Sequence, residues 1–484
     1  MELEVFKQPT AFLKEMLVEV PHAGVLREYE AWWEEEGLAI SEAIDRAGTP
    51  WLRMFDRFGR RVDEIIYPPD YWRMLHEGYK RGAVWRALEE DSLVPSYLLG
   101  YVTSFFDPGP YCPHIVSLST AVALEKYGSH KLKERFLSPM LRRDESVWQG
   151  ATWMTEVRGG SDLGGAVETV AVPTGDRWLL SGEKYFASNV GAELAVVAAR
   201  PEGAPSGVWG LALFLVPKHK EDGSLNYLTR RLKDKIATRS VPTGEVELHG
   251  SEAYPLGRPE HGVYLILEVL NLSRVANSIA SVALMQRCLA EALAFAKERV
   301  AFGKAIVGHP LLRRQFKEHI EELQKAFALA WEAVTLLDEI WRQTPKYSDR
   351  FHLFRLLAHL AKYWTAELAV KTAKWAMEAH GGVGALQEYP VERWLREAMI
   401  LSIWEGTPHR QILDGLEVME RKRAHELLFD HLGQTADPQA LRAIESRVEC
   451  HLELPQSGRE AEAEGLFSGL ARFAAEALRC RTPK

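Results

Sequence analysis

Along the chain the spacing of apolar positions changes twice, and each change marks a different kind of structure. Over residues 1–145 the apolar residues recur at helical intervals, with helix-like runs at 23–46, 70–90 and 114–142. In the last of these, Val116, Leu118, Val122, Leu124 and Leu132 supply the apolar positions. Between the runs lies FFDPGPYCP (105–113), whose prolines and glycine are expected to rule out a continuous helix. DRFGRRVD (56–63) reads as a charged turn with Gly59 at its centre.

From about 150 to 255 short β-branched or aromatic runs alternate with Gly, Pro and Asp turns, which is a strand pattern. The best strands are WLLSG, EKYFAS, ELAVVAAR, VWGLALFLVP and EVELHG. Several antiparallel strands of that length suggest a small barrel or sandwich. From 262 to 430 the helical period returns: Val275, Ile279, Val282, Leu289 and Leu293 share one face. Phe316, Ile320, Leu323, Phe327, Trp331 and Val334 share another, and Phe354, Leu357, Ala361, Trp364 and Leu368 a third. Breaks fall at 303–310, 344–348 and 381–390. Long helices with short connections predict a bundle, and their Trp and Phe stripes read as core. Past 420 the periodicity weakens and is interrupted at 433–439 and 453–458, so two or three short helices packed on the bundle are expected. The predicted fold is mainly α with a small β domain: an N-terminal helical domain (1–147), a middle β-barrel (148–258), a C-terminal four-helix bundle (259–420) and a helical extension (421–484).

Composition refines this only slightly. The 484 residues are 46% hydrophobic and 26% charged, in the range of an ordinary globular protein. A net charge of -8 gives the chain as a whole no polyanion-binding character. Residues 421–484 hold ten Lys or Arg and ten Asp or Glu, so the extension carries no uniform basic footprint either. Cys112, Cys288, Cys450 and Cys480 lie far apart with no CxxC, which fits a reducing, cytoplasmic setting. The first residues, MELEVFKQPTAFLKEML, lack the apolar core of a signal peptide, and no run of about 18 uncharged apolar residues suggests a membrane span.

Several chemistries find no motif. No GxGxxG follows a strand, and there is no GxxxxGK[ST] and no GxSxG. His425 and His431 stand six residues apart, the wrong spacing for a helical zinc pair, and no metal site is expected. The stretch 374–410 is different. It holds a glycine cluster (Gly381, Gly382, Gly384) and one carboxylate, Glu405, directly after a mostly apolar run at 400–404. Ionising a carboxylate beside Ile and Trp is costly, so such a group is either paired or has a raised pKa. A raised pKa suits a general base for a weakly acidic C–H. The glycines suit a backbone that approaches a phosphate or turns sharply; a helix, a turn and a solvated Glu at a helix end is the plainer alternative.

Four blocks in register decide between them. ATWMTEVRGGSD (151–162) resembles the xTExxxGSD signature of acyl-CoA dehydrogenases, and EKYFASNV (183–190) resembles their flavin-flanking strand. ERVAFGKAIVGHPLLRRQ (298–315) resembles their RxxFGxxI block, and the glycine turn followed by IWEGT (403–407) resembles their catalytic motif. DRFGRRVD, the PYCP run, RLKDKIATRS (231–240) and a C-terminal extension resemble the alkylation-response branch of that family. The resemblance implies FAD held between the β domain and the bundle. Met154 and Thr155 would meet the flavin ring, Ser161 the pyrophosphate and also substrate, and Phe186 and Ser188 the ring's other side. Arg299 and Phe302, with the backbone of Glu378, Ala379, Gly381 and Gly382, would face the FAD of a neighbouring subunit, and Thr407 would bond the cofactor. Glu405 would be the base and Arg274, at the head of the first bundle helix, a residue near substrate. His409 and Ala237 depart from the family pattern. The implied function is FAD-dependent α,β-dehydrogenation of an acyl-CoA by a homotetramer that passes electrons to an electron-transfer flavoprotein, within fatty acid metabolism. The alternative is an alkylation-response flavoprotein that binds DNA, its dehydrogenase site vestigial.

Overall fold

A computed structural model describes residues 3–480. Within them the chain separates into two units. One comprises residues 31–103 and 109–273; the other comprises the chain up to Glu30, the short Ser104–Pro108 segment, and everything from Arg274 on. The helix Gly262–Glu298 passes from the first to the second.

The first unit is organised by strands. Trp51–Phe55 (β1) and Arg61–Ile66 (β2) form an antiparallel hairpin inside the stretch expected to be mainly helical. Its turn is the charged one: Asp56 Oδ1 accepts the N–H of Phe58 at 2.8 Å and of Arg60 at 3.0 Å, and Gly59 takes φ 77°. A seven-stranded mixed sheet follows. Its strands are Gly150–Trp153 (β3), Val170–Thr174 (β4), Arg177–Ser188 (β5), Leu194–Pro201 (β6), Ala212–Pro217 (β7), Leu228–Leu232 (β8) and Thr243–Pro255 (β9). Strand β6 pairs with β4 on one side and β7 on the other, and β5 and β9 complete the ring, so the sheet closes on itself. Alanines at 171, 187, 195, 199, 212 and 253 share the interior with Leu180, Val197, Phe214, Val216 and Leu248, the mix of small and large side chains that fills a narrow barrel. Two expectations change here. The pairings of β6 with β3 and with β4 are parallel. The two strands expected at WLLSG and EKYFAS are one strand, whose pairing with β9 shifts register between Leu180 and Ser181, beside Gly182 (φ 153°), where any Cβ would meet Thr169.

The 105–113 run also corrects the sequence reading. The break is confined to Asp107; PGPYCP is helical, within Pro108–Tyr127. Pro108 and Pro110 sit in a first turn, where a missing N–H costs nothing. Pro113 lies deeper, and its carbonyl accepts a hydrogen bond from the Tyr79 hydroxyl.

In the second unit Pro310–Ile340 and Asp349–His380 are long, continuous helices, and the breaks fall where the sequence places them. What would be the fourth bundle helix is interrupted: Val391–Ile403 stops, four residues intervene, and Pro408–Lys422 continues. The extension forms Ala424–Leu432, Pro438–Leu452 and Gln456–Arg479, the last of them 24 residues long. Leu466, Phe467, Leu470, Ala474 and Leu478 bury one stripe of it, Tyr363 and Ser468 share a 2.7 Å hydrogen bond, and Phe467 packs over Gly415. The helix Pro259–Glu298 is long and apolar enough to cross a membrane by composition, but 78% of its most apolar window is buried in the protein, which makes it a core helix.

Candidate active site

The interruption at 404–407 is the centre of the site. Trp404 leaves the helix in extended conformation, Glu405 takes φ 58°, Gly406 φ 103°, and Pro408 opens the next helix. A non-glycine residue in the left-handed region costs on the order of 1 kcal/mol or more and persists only where its surroundings fix it. The surroundings do so by hydrogen bonds. Lys362 Nζ donates to the carbonyls of Ser402 (2.9 Å) and Gly406 (2.7 Å). Gln411 Nε2 donates to the carbonyls of Glu405 (2.9 Å) and Gly406 (3.1 Å). The Gln411 Oε1 accepts from His359 Nδ1 at 2.8 Å, which orients the amide. The Glu405 N–H takes no partner among the described residues.

Glu405 keeps a solvent-accessible edge although protein packs densely around its carboxyl. That packing raises its pKa above the usual carboxylate value, while the charges of Arg274 and Lys362 oppose the rise. Burial lowers the Lys362 amine to about 7 against the pull of Glu405, and lowers His359 to about 3. Arg274 is buried well inside the helix Gly262–Glu298, not at its head, with Asp414 at 4.0 Å. Asp414 also pairs with Arg410. A half-open carboxylate of raised pKa is equipped to accept a proton from a weak acid. Of this network the sequence reading found Glu405 and Arg274 and missed His359, Lys362 and Gln411. The available signal was two polar residues, three apart, in the otherwise apolar run LLAHLAKYW.

The other expected residues divide between the units. In the barrel unit, Met154 is buried, Thr155 half-buried and Ser161 exposed on the loop after β3. Gly160 has no room for a Cβ, which would meet Thr155 Oγ1 at 2.4 Å. The Thr155 carbonyl accepts the Tyr185 N–H at 3.0 Å, and the Ser188 carbonyl accepts Trp153 Nε1–H at 2.9 Å, so loop and strand β5 are tied together. Phe186 is 51% exposed beside them, under the Lys233 ammonium at 4.6 Å. Beneath the loop is a buried ion pair, also missed from sequence. Glu156 accepts from Lys184 Nζ, from the Thr169 hydroxyl and from the Glu168 N–H, all at 2.6 Å, and Lys184 also donates to the Ala198 carbonyl at 2.8 Å. Ala237 is buried, and Thr238 after it takes φ 48°.

In the helical unit, Phe302 (φ 50°) is 97% exposed at the tip of a two-residue hairpin, next to exposed Arg299 and Val300. Glu378, Gly381 and Gly382 are exposed and Ala379 half-buried at the end of Asp349–His380, and a Cβ on either glycine would meet nothing. Thr407 is half-buried ahead of Pro408, its hydroxyl making no cap bond, and His409 is exposed. These groups fit a flavin dinucleotide. An uncovered aromatic ring on β5 suits a flat ring system, Arg299 suits a phosphate, and two unobstructed glycines allow backbone to approach one.

Comparison with known proteins agrees with this division. The acyl-CoA dehydrogenase C-terminal domain family matches residues 260–419, the middle-domain family matches 151–251, and the N-terminal domain family of the adaptive response protein AidB matches 21–144. Acyl-CoA dehydrogenase family member 11 of Caenorhabditis elegans is 31% identical over 447 residues, 88% of this chain and 72% of that protein. The putative acyl-CoA dehydrogenase AidB of Escherichia coli K12 is 27% identical over 391 residues, 77% and 70% of the two chains. The solved structure of C. elegans ACDH-11 in complex with C11-CoA aligns with a TM-score of 0.85 at 26% identity, covering 97% of this chain and 85% of that one. With its middle and C-terminal domains both matched, and a relative this similar over most of its length, the chain belongs to the acyl-CoA dehydrogenase family.

Proposed function

We propose that this protein dehydrogenates an acyl-CoA thioester between its α and β carbons, with Glu405 as the base. Members of the family are FAD-dependent flavoproteins and act as oxidoreductases on acyl-CoA. Bound FAD supplies the acceptor for the hydride that leaves the β carbon. The chain supplies the rest. Glu405 takes the α proton, and burial tunes its carboxyl toward that task. The unpartnered Glu405 N–H is available to polarise the thioester oxygen, which makes the α carbon acidic. Met154, Thr155, Ser161, Phe186, Ser188 and Thr407 hold the cofactor. Arg299, Phe302 and the 378–382 helix end serve the cofactor of a neighbouring subunit in a homotetramer, a reading supported by the exposure of Phe302. An electron-transfer flavoprotein is the acceptor. The C. elegans structure in complex with C11-CoA supports an acyl-CoA as the substrate class.

The observation that carries this reading is the strained, clamped carboxylate in the gap of the fourth helix. Its test is the flavin absorbance of the purified protein mixed with a panel of acyl-CoAs. The wild type should bleach. Glu405→Gln should keep its flavin and lose about 100-fold or more of the bleaching rate. A Glu405→Gln protein that bleaches as fast as the wild type removes Glu405 from the chemistry.

A further inference from the structure

The helix Asp349–His380 presents His359 and Lys362 on a face otherwise made of Leu, Ala and Trp, and both are only 1% exposed. Desolvating an ammonium costs several kcal/mol, and a bundle built only for stability would carry Leu or Met there. The compensation Lys362 receives is informative. Its two acceptors, the carbonyls of Ser402 and Gly406, lie on either side of Glu405. His359 reaches the same turn from the next helical position on that face, through Gln411.

We propose that Lys362 is a positioning residue for Glu405: by bridging the carbonyls before and after it, the ammonium holds the left-handed turn that presents the carboxylate to substrate. This rests on Glu405 being the base. His359 and Gln411 form the second arm of the clamp. The charges around the turn are few. Arg274 and Lys362 face Glu405; Glu405, Arg274 and Glu367 face Lys362; Arg274, Asp414 and Arg355 face His359. Arg274 and Lys362 both favour the ionised Glu405, Arg274 the more strongly, but of the two it is Lys362 that bonds the carbonyls of Ser402 and Gly406. Deleting it takes away a mechanical bridge at any pH and, below its own titration at about 7, a positive charge, whose loss makes the carboxylate harder to ionise.

The test uses flavin-loaded Lys362→Met, Lys362→Arg and Glu405→Gln proteins, mixed rapidly with an acyl-CoA that bleaches the wild type, over a range of pH. Lys362→Met should keep flavin and bind acyl-CoA within about threefold of wild type. Its bleaching rate at neutral pH should fall about 10- to 100-fold, as displacement of a reacting group by about 1 Å produces. Its rate–pH midpoint should move upward by on the order of one unit. Lys362→Arg, which keeps the charge and donors, should recover much of the rate and the original midpoint. A role in packing alone would leave the midpoint fixed and make Arg no better than Met; that result, or a Lys362→Met protein of wild-type rate and midpoint, overturns the proposal. If Lys362→Met does not fold, Lys362→Gln, which keeps one amide donor without the charge, carries the same midpoint test. The two readings fail separately: an active Glu405→Gln protein rejects the base, while an inactive Glu405→Gln with an unaffected Lys362→Met rejects only the clamp.

Discussion

Replacing Lys184 by Met puts a number on the ion pair beneath the loop that follows β3. The Lys184 side chain is fully buried and that of Glu156 is 3% exposed, their atoms 2.6 Å apart. Met matches the stem of Lys but removes the cation. Glu156 then keeps the donors from Glu168 and Thr169 but holds an uncompensated charge, and the Ala198 carbonyl loses its partner. Stranding one member of such a pair costs about 3–5 kcal/mol, against about 0–1 kcal/mol for an exposed pair such as Arg53 with Glu64. Glu156→Gln should cost a similar amount, because Lys184 is then the stranded charge. The double variant, with neither charge left, should be less destabilised than the sum of the singles by about 2 kcal/mol or more. Urea unfolding followed by circular dichroism and tryptophan fluorescence measures all four proteins, with both probes recorded because the chain has two units. Single variants within about 1 kcal/mol of wild type, or strict additivity, would refute the reasoning that each charge is stranded when the other is removed.

Two further outcomes follow from burial elsewhere. The Lys362 amine is lowered from 10.5 to about 7, so its folded value lies below its unfolded one. Such a group contributes stability above the unfolded value and loses it as pH falls toward the folded one. The stability difference between wild type and Lys362→Met should therefore shift against the wild type by about 1 kcal/mol per unit as pH drops from roughly 10 to 7; a difference that stays flat across that window refutes it. Gly415→Ala places a methyl 2.3 Å from the Phe467 ring. Overpacking there should cost about 1–3 kcal/mol and make the Gln456–Arg479 helix easier to cleave in limited proteolysis; an unchanged cleavage pattern speaks against that packing.

What the sequence made legible depended on how far each signal extended along the chain. Strands β5 and β9 announce themselves by length and β6 by its unbroken apolar run, whereas β4 carries Pro173 and β8 carries Arg230 and Arg231, which blur any periodicity in so few residues. The β1–β2 hairpin was hidden because its alternation occupies five or six residues between helical runs. Pro108 and Pro110 misled because the rule against proline relaxes in a first turn, and only the fold shows where that turn begins. Glu405 was visible as one acid in greasy company. Lys362 was not: a lone lysine in an apolar helix reads as an edge of the exposed face, and its partners lie 40 and 44 residues away.

The order in which the two units are written along the chain sets how they can be born. The barrel unit is complete once Ser273 has left the ribosome, so it can fold while synthesis continues. The unit that carries Glu405 combines the segment up to Glu30 with residues from Arg274 on, so that segment must wait, unhoused, while the barrel unit between them is made. During that interval Phe6, Phe12 and Leu13, which end up fully covered, have no permanent shelter, and nascent chains halted just past Arg274 should show them as the preferred handhold for a chaperone.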